Sequence, residues 1–420
     1  MTSDITITPH SPGIADVPGF HCAGVACDVR CNDDSRLDLA LVYSKTPCTA
    51  AGVFTTNDIK AAPVVLDQEL LAGGGDFHGI VINSGNANAC TGTQGMADAR
   101  AMLEKAEAVC GAPEKSFFVC STGRIGRVLP MENVLRGIDE AATVLDDSAA
   151  QSKAAAEAIL TSDTRSKTVT AQFDWEGETI TVAGMAKGAG MIEPNMATML
   201  AFIATDAKVS HALLSASLKS ANTTSFNAIT VDGDMSTNDT VLFLANGESG
   251  VEITSQNAEL AELFIEAVKA VCKDLALKIA GDGERITKLV QVIVEGAKDV
   301  SSAEKVARAI GNSLLVKTSW YGSDPNWGRL LDAAGYARVG IIEEKIDLAY
   351  VPGIPMSGAF EGSVPALTQG QPQDDNLSQW KEIVSEKEFT IHLNLNLGSE
   401  KFTLYSTDLS EGYVDFNKSE

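Results

Sequence analysis

MIEPNMATML, Met191 to Leu200, is the stretch on which the reading of this chain turns. It carries one hydroxyl, Thr198, and one charge, Glu193, between the glycine-rich KGAG (Lys187 to Gly190) and the apolar LAFIA (Leu200 to Ala204). Pro194 fixes its own φ and restricts Glu193, so the chain turns tightly before an Ala-Thr pair. A strand is expected from Thr198 to Ala204. On one reading Thr198 is only a β-branched residue entering that strand. On the other, cutting the Ala197–Thr198 bond frees an α-amine. Such an amine titrates at ~7.7–8.0 and can act as general base for the hydroxyl of its own residue. Taken alone, these residues leave both readings open.

Composition narrows the classes. The chain has 420 residues, 45% hydrophobic and 21% charged, enough for one large domain or two ordinary ones. Its 36 glycines suit a loop-rich α/β fold. A formal charge of −24 is the wrong sign for gripping phosphate backbones, so no nucleic-acid partner is expected. No uncharged apolar run approaches the roughly 18–20 residues that span a bilayer. MTSDITITPHSPG at the N-terminus has neither the basic nor the apolar region of a signal peptide. The expectation is a cytoplasmic protein with no membrane partner and with its eight cysteines reduced. HCAGVACDVRC (His21 to Cys31) fits no zinc spacing. VDGDMSTNDT (Val231 to Thr240) is rich in oxygen ligands but lacks the spacing of an EF-hand. No metal is expected.

Helical and strand patterns alternate along the chain. Apolar spacing predicts helices over Asp98–Cys110, Met131–Leu145, Ser148–Leu160, Ser210–Ala221 and Ala258–Ala280. Strands are expected at Phe117–Thr122, at TVTAQFD and ETITVAG on either side of a WEGE turn, and on both sides of the polar loop in ITVDGDMSTNDTVLFLANG. The reading is mixed α/β with two sheets, and a smaller C-terminal unit from about residue 300.

There is no G-x-S-x-G elbow, H-E-x-x-H or Walker loop, and the five histidines form no catalytic spacing. Some other group must activate any nucleophile. From GMAKGAGMIEPNMATMLAFIATDA (Gly184 to Ala207) the chain resembles the ornithine acetyltransferase family, the self-processing N-acetylglutamate synthases of arginine biosynthesis. NSGNANACTG (Asn83 to Gly92), STGRIG (Ser121 to Gly126), TSDT (Thr161 to Thr164), VDGDMSTNDT, GDGERITK (Gly281 to Lys288) and DPNWGR (Asp324 to Arg329) resemble family motifs in the family's order.

The resemblance implies a two-sheet αββα sandwich with an N-terminal threonine nucleophile, and cleavage between Ala197 and Thr198. The pieces, an α chain of 1–197 and a β chain of 198–420, would stay together as α2β2. It also implies that Thr198 takes acetyl from N2-acetyl-L-ornithine and passes it to L-glutamate, with acetyl-CoA as a further possible donor and no resident cofactor. The family's oxyanion-hole pair falls on Thr122 and Gly123. Its substrate contacts fall on Thr164, Lys187, Thr198, Glu284 and Asn417. Without the family, STG reads as a turn, Lys187 as a solvated loop lysine and GDGE as a helix cap. One departure lies in YVDFNKSE (Tyr413 to Glu420), where Asn417 matches the family but the hydroxyl that ends the family pattern is missing, leaving Ser419 or water in its place. Two other readings are kept: a self-processing amidohydrolase or aminopeptidase using Thr198, and an uncleaved amino-acid-binding protein.

Overall fold

The computed structural model describes residues 4–32, 35–193, 199–355 and 360–418. Ala197 and Thr198, the expected cleavage pair, therefore lie outside the described residues, as does Ser419. The chain sorts into two compact units.

The first unit comprises Met1–Met191, Asn195–Asn227 and Met235–Ile279. Its first half runs β1 (Thr6–Pro9), β2 (Phe20–Val25), β3 (Leu39–Phe54), α1 (Ala62–Gly73), β4 (Phe77–Asn86), α2 (Gly92–Cys110), β5 (Phe117–Arg124), α3 (Met131–Val144) and α4 (Ala149–Ala158). Then come β6 (Lys167–Trp175), β7 (Glu178–Lys187), β8 (Leu200–Thr205), β9 (Lys208–Val209), α5 (His211–Thr223), β10 (Thr240–Ala245), β11 (Glu252–Ile253) and α6 (Ala258–Ala280). The strand order is β1-β6-β7-β8-β10-β3-β4-β5, with β2 also on β3. The parallel pairs β4/β5 and β8/β10 are joined across helices, as parallel pairing demands.

β3 is 16 residues long and serves two sheets. Its first half pairs β2 and β4 and its second half pairs β10, with the register to β4 shifting between Tyr43 and Cys48. Met185, Phe202, Leu242 and Leu244 from one sheet share a core with Leu41, Ile82 and Phe118 from the other. On the outer face of β7, Gly184 lies so close to Leu275 and Val271 of α6 that a Cβ would sit 2.9 Å from the Leu275 methyl. On the far side, α1, α2 and α3 cover β2 to β5. The layers run helix, sheet, sheet, helix, the αββα sandwich expected.

The second unit comprises Ile192–Pro194, Ala228–Asp234 and Ala280–Glu420. It holds β12 (Leu289–Ala297), α7 (Val300–Gly311), α8 (Leu314–Tyr321), α9 (Trp327–Gly335), β13 (Asp347–Pro352), β14 (Val364–Thr368) and β15 (Gln371–Pro372). It closes with α10 (Leu377–Ser385), β16 (Glu388–Asn394), β17 (Glu400–Thr407) and α11 (Glu411–Asn417). A six-stranded sheet in the order β15-β14-β13-β16-β12-β17 buries Val290, Val292 and Val294 in a core with Val306, Ile310 and Trp320. The longest segment of this unit starts at Ala280, about twenty residues before the expected boundary near residue 300, which falls between β12 and α7. The strand expected at Ile229 is reduced to one bridge with Tyr405, because the chain turns at once through Gly233, at φ +81°. Among the described residues no helix is long and apolar enough to cross a membrane.

Candidate active site

The site in the first unit is built on the end of β5. Ser84, Gly85 and Asn86 of β4 pair there with Thr122, Gly123 and Arg124. The backbones meet so closely at this point that a Cβ on Gly123, whose φ is +133°, would lie 2.2 Å from the Gly85 carbonyl carbon. Only glycine tolerates both the approach and the dihedral. Thr122 is buried and Gly123 exposed, so the strand carries a hydroxyl and an amide to its open end.

Two asparagine motifs brace this end. Ser121 Oγ donates to Asn83 Oδ1 at 2.6 Å, and Asn83 Nδ2 donates to the Asn86 carbonyl at 2.9 Å. Asn238, from the polar loop before β10, donates through Nδ2 to the carbonyls of Ala87 (2.6 Å) and Ser121 (2.8 Å). NSGNANACTG and STNDT therefore form one hydrogen-bonded support. Among the described residues no three His, Cys, Asp or Glu side chains gather as metal ligands. Burial pushes the Cys22 thiol up to about 12, marking it as a neutral core group.

Lys187 is the centre of the site. It ends β7 and is buried, not in a solvated loop. Its Nζ donates to Thr161 Oγ1 at 2.7 Å and Thr122 Oγ1 at 3.2 Å, and stands 3.9 Å from Asp163 Oδ2. Asp163 Oδ1 receives Lys167 Nζ and the Gly188 N–H, each at 2.6 Å. Burial works to raise Asp163, but the Lys187 and Lys167 ammonium groups and these hydrogen bonds outweigh it and hold its carboxyl below the usual range. Since Thr122 Oγ1 accepts from an ammonium, its own hydrogen is left to donate. That donation is strengthened by the cation behind it.

The family resemblance puts a substrate contact on Thr164 in TSDT. The structure places Thr161 and Asp163 on Lys187, with Thr164 exposed in the same turn. Asp163 is not among the expected contacts; the one trace it leaves in the sequence is Lys167 four residues on. Met199, just past the expected nucleophile, donates its N–H to Asp239 Oδ1 at 2.9 Å.

The second unit gathers the other expected contacts. Asn417, exposed on α11, donates through Nδ2 to the Tyr413 carbonyl at 2.8 Å. The Tyr413 hydroxyl donates to Asp232 Oδ2 at 3.3 Å. Burial, then the charges of Asp232 and half-buried Glu284, push that phenol well above its usual range. Glu284, Tyr413, Asp232 and Asn417 thus form one polar group in which Tyr413 and Asp232 were not foreseen.

Fold and site together define an α/β enzyme, with a buried ammonium set behind a strand-end hydroxyl and glycine. The ArgJ family model matches residues 21–419, and the chain belongs to the ArgJ family. It is similar to the arginine biosynthesis bifunctional protein ArgJ of Thermotoga neapolitana, 45% identical over 400 residues, which are 95% of this chain and 98% of that one. The protein of the same name from Caldanaerobacter subterraneus is 44% identical over 401 residues, 96% of each chain. Among solved structures, ornithine acetyltransferase of Mycobacterium tuberculosis complexed with ornithine is 38% identical, covering 46% of this chain and 98% of that chain, with a TM-score of 0.42.

Proposed function

We propose that this chain is a glutamate N-acetyltransferase of arginine biosynthesis. It cleaves itself between Ala197 and Thr198, then moves acetyl from N2-acetyl-L-ornithine to L-glutamate through acetyl-Thr198. The observation that carries the reading is the Lys187–Thr122 hydrogen bond at the open end of β5, beside the amide of Gly123. In the first half-reaction the freed α-amine of Thr198 takes the hydroxyl proton as Oγ bonds to the acetyl carbon. The oxyanion that forms is stabilised by the Thr122 hydroxyl and the Gly123 N–H. The C–N bond then breaks, the proton passes to the leaving nitrogen, and ornithine departs. The glutamate amine repeats the attack on the ester and restores Thr198.

Lys187 supplies the cation behind Thr122 and attracts the substrate α-carboxylate, with Thr164 on the neighbouring turn. Glu284 and Asn417 serve the distal end of the substrate, an ammonium in ornithine and a carboxylate in glutamate. The relatives are named bifunctional, and we extend the proposal to acetyl-CoA as a second donor. The mature form is proposed to be a cytoplasmic α2β2 assembly of residues 1–197 and 198–420.

Two measurements test this. A denaturing gel of the purified protein is expected to show two bands, the smaller beginning or ending at the Ala197–Thr198 bond by mass, whereas Thr198→Ala stays as one inactive band. A mass-resolved exchange assay, with acetylornithine and acetyl-CoA offered separately, is expected to yield N-acetylglutamate from each. Acetate release without acetylglutamate would favour a hydrolase, and a single wild-type band would favour an uncleaved binding protein.

A further inference from the structure

Asp239 sits at the entry to β10 with its side chain buried. Oδ1 accepts the Met199 N–H at 2.9 Å, and the Thr240 N–H donates to the Met199 carbonyl at 3.2 Å, so Met199 is held from both of its backbone groups. Among the described residues Oδ2 is buried with no hydrogen-bond partner. A buried, unpaired carboxyl oxygen is costly to keep, and the acetyl transfer makes no use of it.

We propose that Asp239 is a positioning residue for the α-amine of Thr198, holding that amine and its proton at Oδ2 once self-cleavage has exposed it. The inference rests on the Thr198 reading above. Met199 is the next residue in the chain, and its nitrogen is joined to that of Thr198 by three covalent bonds of about 1.3–1.5 Å each. Cleavage therefore creates a cation on the residue covalently next to the one Asp239 already grips.

The charges match before and after. Burial pushes Asp239 well above the ordinary carboxylate range, and in the proposal it carries a proton until a cation arrives. The charged group facing it is Lys187, which works the other way but is engaged with Thr161, Thr122 and Asp163; Thr55 and the Ser236 backbone act in the same direction as Lys187. In cleavage the Thr198 Oγ bonds to the Ala197 carbonyl carbon, the Ala197–Thr198 C–N bond breaks, and the hydroxyl proton goes to nitrogen. Water then hydrolyses the ester. The Asp239 carboxyl proton passes to the new amine, giving a carboxylate–ammonium pair with no net change in charge. When the amine must act as base, the proton returns to Oδ2.

The test uses the processed enzyme. The pH dependence of cyanate carbamylation, read by mass at the Thr198 amine, reports the pKa of that amine directly. A carboxylate partner raises it, so in Asp239→Asn the midpoint is expected to fall by about 1–3 pH units. Exchange kcat is expected to drop on the order of 10²-fold with little change in KM for acetylornithine, and Asp239→Glu to recover part of both. A wild-type midpoint and kcat in Asp239→Asn would overturn the proposal and leave Asp239 as a backbone clamp. If that variant does not fold, Asp239→Glu is decisive alone: a shifted midpoint with lowered kcat supports the role, and wild-type values sink it. An uncleaved wild-type chain would instead sink the Thr198 reading itself.

Discussion

Lys187 and Lys167 are buried ammonium groups that share the carboxylate of Asp163. Removing that carboxylate leaves two cations without their counter-ion, so Asp163→Asn is expected to lose about 3–5 kcal/mol of stability at neutral pH in urea unfolding. Because the folded-state pKa of Asp163 is depressed, its contribution is present above ~3.9 and is lost as acid protonates it, so the two stability curves converge at low pH. The chemical role of Lys187 is separable from this. If it acts by polarising the Thr122 hydroxyl, then Lys187→Met and Thr122→Val each lower kcat/KM for exchange on the order of 10²–10³-fold. The double variant is then expected to fall scarcely further, since the pair works as a unit. Fully multiplicative losses would separate the two residues.

At the scale of elements, the local patterns were legible and the site's wiring was not. α6 starts and stops where its apolar spacing and the following glycine place it, and α3 agrees to within a residue. α2 begins at Gly92, six residues before the expected Asp98, because glycines at 92 and 95 read as loop. Gly95 is in fact required: a Cβ there would lie 1.9 Å from Thr91 Oγ1. β7 runs on to Lys187 although the pattern ended at Gly184, since the gap at Gly184 is filled by α6, a contact no local pattern shows. Motif resemblance is enough to point to Thr122, Gly123 and Lys187, whereas Thr161, Asp163 and Asn238 emerge only when β5, β7 and the loop before β10 meet. Asn238 gives this a test. In Asn238→Ala the Ala87 and Ser121 carbonyls both lose a donor, which is expected to cost about 1–3 kcal/mol and to lower exchange kcat more than KM as the end of β5 loosens. Thermal melting with steady-state kinetics checks both, and loss of stability with intact kcat would confine Asn238 to packing.

For the whole molecule, the compact units and the proposed cleavage do not divide the chain in the same place. The cut at Ala197–Thr198 passes through the first unit, so β1 to β7 belong to one fragment and β8 and β10 to the other. These strands interleave: β8 pairs β7 over Leu200–Thr205, and β10 pairs β3 over Thr240–Ala245. Leu200, Phe202, Leu242 and Leu244 from the second fragment are buried in the core of the first. Each such side chain is worth about 1.5–3 kcal/mol on burial, and two ladders of backbone hydrogen bonds would open with them. The cleaved fragments are therefore expected to elute together in gel filtration at any salt concentration and to part only in denaturant, at the transition where the fold itself is lost. Residues 1–197 expressed alone would leave the edges of β7 and β3 unpaired, and are expected to aggregate until 198–420 is supplied in the same refolding mixture. Recovery of exchange activity on mixing measures this directly, and a soluble, monomeric 1–197 fragment would show that the strand pairing does not bind the two pieces.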